Sequence, residues 1–447
     1  MIELFRFFMR YLRTSRGNYQ TIMKIRFRTY FILKTCLLAT TVLFLSGCVE
    51  RGCTDPNASN YNPDAERNDE SCVYDAITNE ANQDFVETYA DIVHAMYEDA
   101  YTEALNLQET IDLFLANPTI PGLEACKEKW VLAHIPYSQS EGFRFAYGAI
   151  DDPNNNFEVR LNAWDFDASR IDYVKGSPNA GVINDSVTYP TINSTLLLEL
   201  NNAQGGRQIT LGYHVIEFLL WGEDKTGLED QLPGQRTFSD YVIGDTNVTS
   251  AKRRGEFLKV CVDRLVVDLN QLANEWASSS QNNYRSEFLN LSPKKATRYA
   301  FTGLVNFSQF ELAKNRLENS LSSLVGKEES RFSDNSHRDL YFNVIGLRSV
   351  FNGRYGRADS TYVEGFSLND LIVRLQPAYS SRAKSLSDNI VEKAVLVPAP
   401  LDYYQSIEVE GSTGPVNEMI QALRDYGDLL TEISVEMGIG IKADLLN

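Results

Sequence analysis

Histidine is scarce here: four residues in 447, which excludes a histidine-rich metal site by count. No HExxH occurs, so the zinc helix that sets a glutamate base between two histidine ligands is also excluded. The paired ExxH signature of carboxylate-bridged iron bundles is missing as well. Strand-like alternation is nearly absent, and beyond Leu45 no apolar run is long enough to span a bilayer. Any metal site must therefore draw on carboxylates. That favours harder ions such as iron or manganese over thiolate-type zinc.

Basic residues are also in short supply. The chain has 42 Lys and Arg against 60 Asp and Glu, a net charge of −18. Residues 1–47 read as a signal peptide: a basic run with Lys24, Arg26, Arg28 and Lys34, then the apolar stretch Phe31–Leu45, then Leu45-Ser46-Gly47-Cys48. The last four residues match the bacterial lipoprotein box, which makes Cys48 the lipidated first residue of the mature chain. A start at Met23 rather than Met1 leaves a leader of conventional length. Cleavage removes eight basic residues and one acidic one, taking the net charge to −25. Such a surface repels nucleic acid and anionic headgroups.

Six cysteines divide among several roles. Cys36 leaves with the leader and Cys48 takes lipid. Cys53 and Cys72 bracket a small loop and are expected to form a disulfide, which an extracytoplasmic compartment permits. Cys126 and Cys261 fall in helical segments as small buried apolar residues. Between Cys53 and Tyr74, Asp55, Asn57, Asn60, Asn62, Asp64, Asn68 and Asp69 supply oxygens that favour turns and could ligate calcium. The spacing is not that of an EF-hand, and a disulfide-stapled spacer is the preferred reading. This segment resembles a short unit found near the termini of bacterial lipoproteins and secreted proteins.

From Thr78 onward the texture is helical. Phe85, Tyr89, Ile92, Met96, Leu105, Leu107 and Ile111 recur at spacings near three and four, predicting a helix over 79–115. A second helix carries Trp130 toward Phe145, and 150–191 reads mostly as loop. A helix pair follows over 193–222, then a loop over 222–247 and a long helix over 249–278. Further helices are predicted near 293–323, 336–350, 366–392 and 413–437. The fold class is all-α, as two helical-bundle halves with a cleft between them. The expected organisation is the leader 1–47, a lipidated Cys-rich linker 48–77, a first bundle 78–247 and a second bundle 248–447.

The most informative stretch is LGYHVIEFLLWG, residues 211–222. His214 and Glu217, three apart, share one face of a helix that is otherwise apolar nearly all round, so the helix must be buried. A buried ionisable pair needs hydrogen bonds, a partner charge or a metal. Alone, HxxE reads more cheaply as a satisfied core histidine than as a ligand.

Four companion motifs change the weighing: PYSQSEGFRFAYGAIDD (136–152), RLNAWDFDASRIDYV (160–174), ELAKNR (311–316) and EESRFSDNSHRDLYFN (328–343). With the 211–222 stretch they resemble the imelysin family, also called the insulin-cleaving membrane protease or iron-regulated protein A family, over roughly 80–447. Its GxHxxE element corresponds to Gly212, His214 and Glu217. The resemblance implies two bundle-like halves with the GxHxxE helix near the cleft, an extracytoplasmic setting and a link to iron supply. His134 stands where the family usually has arginine, and Ala149 where it has proline.

Within these motifs Glu141 and Arg144 either pair or each face the site. Asp334 and His337 share the same spacing, and Asp334 also suits an N-cap. Glu311 and Arg316 read as a solvated or interhelical pair. The candidate metal set is His214, Glu217, Glu141, Asp334 and His337, with Arg144 and Gly212 as cleft support. The implied cofactor is a metal ion, iron before zinc. The implied partners are the membrane through Cys48, the metal or an iron-bearing ligand, and other uptake proteins in the cell envelope: periplasm, outer membrane or cell surface. Two rivals stay open. One is a metallopeptidase in which Glu217 activates a metal-bound water. The other is a metal-free peptide- or partner-binding module in which His214 and Glu217 simply hydrogen-bond.

Overall fold

The computed structural model describes residues 50–441, except 56, 57, 59, 74, 75, 204, 206, 245–247 and 323–327. The leader and Cys48 lie outside the described residues. The chain divides into two compact units at Val73/Tyr74.

In the first unit, β1 (Arg51–Gly52) pairs in parallel with β2 (Arg67–Asn68). The Cys53–Cys72 disulfide is formed. Side-chain oxygens of Asn62, Asn68 and Asp69 each accept an amide N–H two residues on, at 2.9–3.0 Å. The Asx-rich composition is thus spent on turns.

The second unit is helical. α1 (Ala76–Ala116) buries Phe85, Tyr89, Ile92, Met96, Leu107 and Ile111, the stripe its periodicity implies, while Leu105 is exposed. α2 (Ile120–Ser140) starts at Thr119, whose hydroxyl accepts from the Gly122 amide at 3.2 Å, with Pro121 in the first turn. α3 (Tyr213–Trp221) carries the HxxE pair, and all nine of its residues are buried. The long α4 is Val248–Glu275, and α5 is Pro293–Asn306. The same helix continues from Phe307 to Glu318 with π winding. α6 (Ser336–Asn352), α7 (Ser380–Leu396) and α8 (Pro415–Glu436) complete the main set. A small antiparallel hairpin, β3 (Arg354–Gly356) with β4 (Tyr362–Glu364), follows α6.

α1 packs on α2, α4 and α5, while α8 packs on α5, its π extension and α7. α2 touches both α3 and α6, so it is the wall shared by the two groups of helices. The segments 78–247 and 248–447 share one continuous hydrophobic core. The expected helix over 366–392 is interrupted: Leu368–Leu375 ends before Pro377, whose ring cannot continue the ladder, and α7 starts afresh at Ser380.

Two glycines set the approach distances around the polar centre. Gly212 precedes α3 at φ 99°, and a Cβ there would lie 2.6 Å from the Leu161 carbonyl oxygen. Gly346, inside α6, lets the Gln139 carbonyl of α2 come where a Cβ would sit only 1.9 Å away. Gly→Ala inside a helix ordinarily stabilises by about 0.5–1 kcal/mol. Gly255→Ala in α4, where the nearest atom is 3.4 Å from the new Cβ, should show that gain. Gly346→Ala should show the opposite sign, a loss of about 2–4 kcal/mol from overpacking. Denaturant midpoints of the two variants check the pair.

Candidate functional site

His214 is held from behind. Its Nδ1 lies 2.8 Å from Glu217 Oε2. The other oxygen, Oε1, accepts from the Phe332 amide at 2.9 Å and from the Ser333 amide and hydroxyl at 2.8 Å each. With Oε1 taken by three donors, Oε2 is the acceptor left for His214, whose Nδ1–H points at it. The opposite nitrogen, Nε2, is fully buried and has no hydrogen-bond partner. It faces Glu329 Oε1 at 3.8 Å, too long for a hydrogen bond. Burial alone would lower the His214 pKa, but Glu217 and Glu329 reverse that and push it up to about 9.

His134 lies beside it, its ring stacked on Trp130 at 5.0 Å and edge-on to His214 at 5.3 Å. Its Nδ1 lies 3.0 Å from Asp339 Oδ1 and its Nε2 2.9 Å from Asn162 Oδ1. The Asn162 amide nitrogen donates to Glu141 and Glu329, at 3.2 and 2.9 Å, which fixes the amide oxygen toward His134. Both His134 nitrogens therefore donate, and the ring is an imidazolium. Burial opposes that charge, but Asp339 overrides it and the pKa is raised.

The charge balance rests on Arg316. It donates to Glu141 with two nitrogens, at 2.7 and 3.0 Å, to Glu311 at 3.1 Å, to Asn343 at 3.1 Å and to Glu329. Glu311 and Arg316 are five apart, which in an α-helix turns the side chains about 140° from each other. The π winding brings them to one face. The expected solvated or interhelical pair is instead a buried pair within one helix. Arg144 adds contacts to Glu141 at 3.2 Å, Glu158 at 3.2 Å and Glu311 at 3.5 Å. Glu141 and Glu329 share Arg316. Burial opposes ionisation of both, but Arg316 holds Glu329 well below the usual carboxylate range, whereas Glu141 is raised to about 7.

Of the five residues proposed as ligands, His214 and Glu217 are thus joined, and Glu141 is engaged by Arg316, Arg144, Asn162 and Asn343. Asp334 lies apart from them in a group with Asp224 and Asp402. It is not an N-cap: Asn335 occupies that position, and Asp334 is left-handed at φ 56°. His337, half-buried, sets its Nδ1 3.1 Å from the Asp334 carbonyl. The group that offers ligand atoms within 4.8 Å of one another is instead His134, His214 and Glu329. Glu329 and Asn162 lie within the quoted motifs, but their roles escaped sequence reasoning. The signal was there for Glu329: a carboxylate doublet, Glu328-Glu329, opening the EESRF motif.

Fold and site together define an all-helical protein with a water-excluded centre of histidines, carboxylates and arginines drawn from helices far apart in sequence. The family profile described as Imelysin matches residues 93–430, and the chain belongs to the imelysin family. No curated protein matches it. Among solved structures, one from Parabacteroides distasonis ATCC 8503, described as an iron-regulated protein A precursor, is similar with a TM-score of 0.61 at 18% identity, over 80% of this chain and 95% of that one. An imelysin-like protein from Psychrobacter arcticum 273-4 is similar with a TM-score of 0.56 at 12% identity, over 81% of this chain and 97% of that one.

Removing one partner from a buried ionic network costs about 3–5 kcal/mol, because the remaining charges stay buried and unpaired. Arg316→Met should therefore destabilise the protein by that amount in chemical unfolding.

Proposed function

We propose that this chain is a cell-envelope imelysin-family protein that captures iron, free or within an iron-bearing ligand, at His214 and Glu329. The observation that carries the reading is His214 Nε2, which has no hydrogen-bond partner and only a long ion pair with Glu329. A buried nitrogen without a partner is costly, and this one is oriented by a carboxylate on its other side, the arrangement that prepares metal-ligating histidines. At ligand distances of roughly 2.0–2.2 Å, two ligand atoms of one ion stand about 3–4 Å apart. The 3.8 Å gap to Glu329 Oε1 suits that better than it suits a hydrogen bond. One imidazole and one carboxylate form a mixed set compatible with iron or zinc. The iron-regulated name of the Parabacteroides neighbour supports iron.

Glu217 serves as a positioning residue in this reading. Its four protein donors leave it poorly placed to activate water, so binding is preferred to peptide hydrolysis. His134 joins as a ligand only after giving up a proton and its Asn162 contact. A metal-free peptide- or partner-binding role has one observation in its favour, the direct His214–Glu217 hydrogen bond.

Calorimetry of the chelator-treated protein with ferrous, ferric and zinc ions separates these readings. His214→Ala and Glu329→Gln should each abolish iron binding, and Glu217→Gln should weaken it about 10–100-fold. The metal must displace a proton held with a pKa near 9. Affinity should therefore rise by about tenfold per pH unit between roughly pH 6 and 8. Wild-type affinity in both His214→Ala and Glu329→Gln would remove iron from this site.

The proposal includes the envelope setting: removal of residues 1–47, lipid on Cys48 and, by tethering, access to other uptake proteins. Among the described residues no helix is long and apolar enough to cross a membrane. Cys48→Ser should move the protein from the membrane to the soluble fraction on cell fractionation, and an unchanged membrane fraction would rule the lipid anchor out.

A further inference from the structure

A second cluster of carboxylates sits away from His214. Asp224, Asp334 and Asp402 each place an oxygen within 4.8 Å of the others. Asp224 follows α3, Asp334 sits at its left-handed bend, and Asp402 opens a short helix, Leu401–Ile407. Among the described residues each keeps an oxygen free of hydrogen bonds. Asp224 Oδ1 is occupied by the Thr226 amide and hydroxyl, and Asp402 Oδ1 by the Tyr403 amide. Among the described residues the Asp334 carboxylate accepts no hydrogen bond, and none of the three forms a salt bridge.

An independent observation points to a ligand. Glu328 is buried, 3% exposed, and its Oε2 has no hydrogen-bond partner. It lines the same cavity of about 360 Å³ as Asp224 and Asp402. The two arginines on that cavity are committed elsewhere: Arg331 donates to the Phe166 carbonyl at 2.6 Å, and Arg207 pairs with Asp165 at 3.0 Å. Among the described residues, Glu328 too forms no salt bridge, and it shares the cavity with Asp224 and Asp402.

We propose that Asp224, Asp334, Asp402 and Glu328 form a binding site for a hard divalent cation of the calcium class, distinct from the His214 centre. The donors are all carboxylate oxygens, which suits calcium, magnesium or manganese rather than a metal that favours nitrogen or sulfur. Several protein carboxylates around one ion suit calcium better than magnesium, which demands near-ideal octahedral geometry and gives up its waters reluctantly. The cavity leaves room for the waters that complete a coordination sphere of six to eight. Burial and the neighbouring Asp402 and Asp224 push Asp334 up to about 7, and burial with the charges of Asp402 and Asp334 raises Glu328 well above the usual range.

The test uses the full mature chain after chelation, titrated with calcium or magnesium chloride in a calorimeter and melted with and without each ion. Calcium should bind with a dissociation constant below about 1 mM and raise the melting temperature, while magnesium binds at least tenfold more weakly. Asp334→Asn and Asp402→Asn should each weaken calcium binding at least tenfold. Both should also melt higher than wild type without calcium, because they relieve repulsion, and that result shows the variants are folded. His214→Ala should bind calcium normally, so the fate of the iron reading leaves this one untouched. The proposal is overturned if millimolar calcium gives neither heat nor a melting shift, or if magnesium binds as tightly as calcium. It is equally overturned if both Asn variants keep wild-type affinity, which would place the ion elsewhere, as in the Asx-rich segment of the first unit.

Discussion

A buried guanidinium organises this protein. Arg316 is buried, and a charge in that position is tolerable only when its hydrogens are all met by acceptors and its charge by carboxylates. Glu141, Glu311 and Glu329 answer that demand from three separate places in the chain. The demand also explains the π winding of Phe307–Glu318, since an α-helical register would send Glu311 and Arg316 to different faces. It accounts for the tight meeting of α2 and α6 at Gly346, which lets Asn343 reach both the Ser138 carbonyl and Glu141.

Once Arg316 fixes Glu141 and Glu329, the histidine pair follows. Asn162 reads both carboxylates with its amide nitrogen and so presents oxygen to His134. Glu329 faces the His214 nitrogen that Glu217 leaves over. Residues of one short segment serve different masters: Glu328 the acidic cavity, Glu329 the histidines, Phe332 and Ser333 the Glu217 carboxylate, and Asp334 the acidic cluster.

Much of this was legible in the residues. The stripe of α1 and the all-apolar surround of His214 foretold a helical protein with a buried HxxE helix, and the five motifs supply the polar centre except for His134. What could not be read was which carboxylate faces His214. That choice is made by the bend at 330–335, with Asp334 in a left-handed conformation that no periodicity announces. The π register is equally silent, because its apolar spacing passes for an ordinary helix. The role of His134 was equally silent: only the folded chain sets it between Asp339 and Asn162.

The sequence distances inside the network carry a consequence for how the chain reaches its native state. Arg316 meets Glu141 across 175 residues, and Asn343 meets Glu141 across 202. Closing loops of that length is slow and entropically costly. A collapsed intermediate that buried Arg316 before Glu141 arrived would trap an unpaired cation, so such a state is penalised heavily. The polar centre thus acts as a checkpoint on assembly. Helices with generic apolar faces can dock in many wrong ways, but only the correct docking lets the charges leave water together.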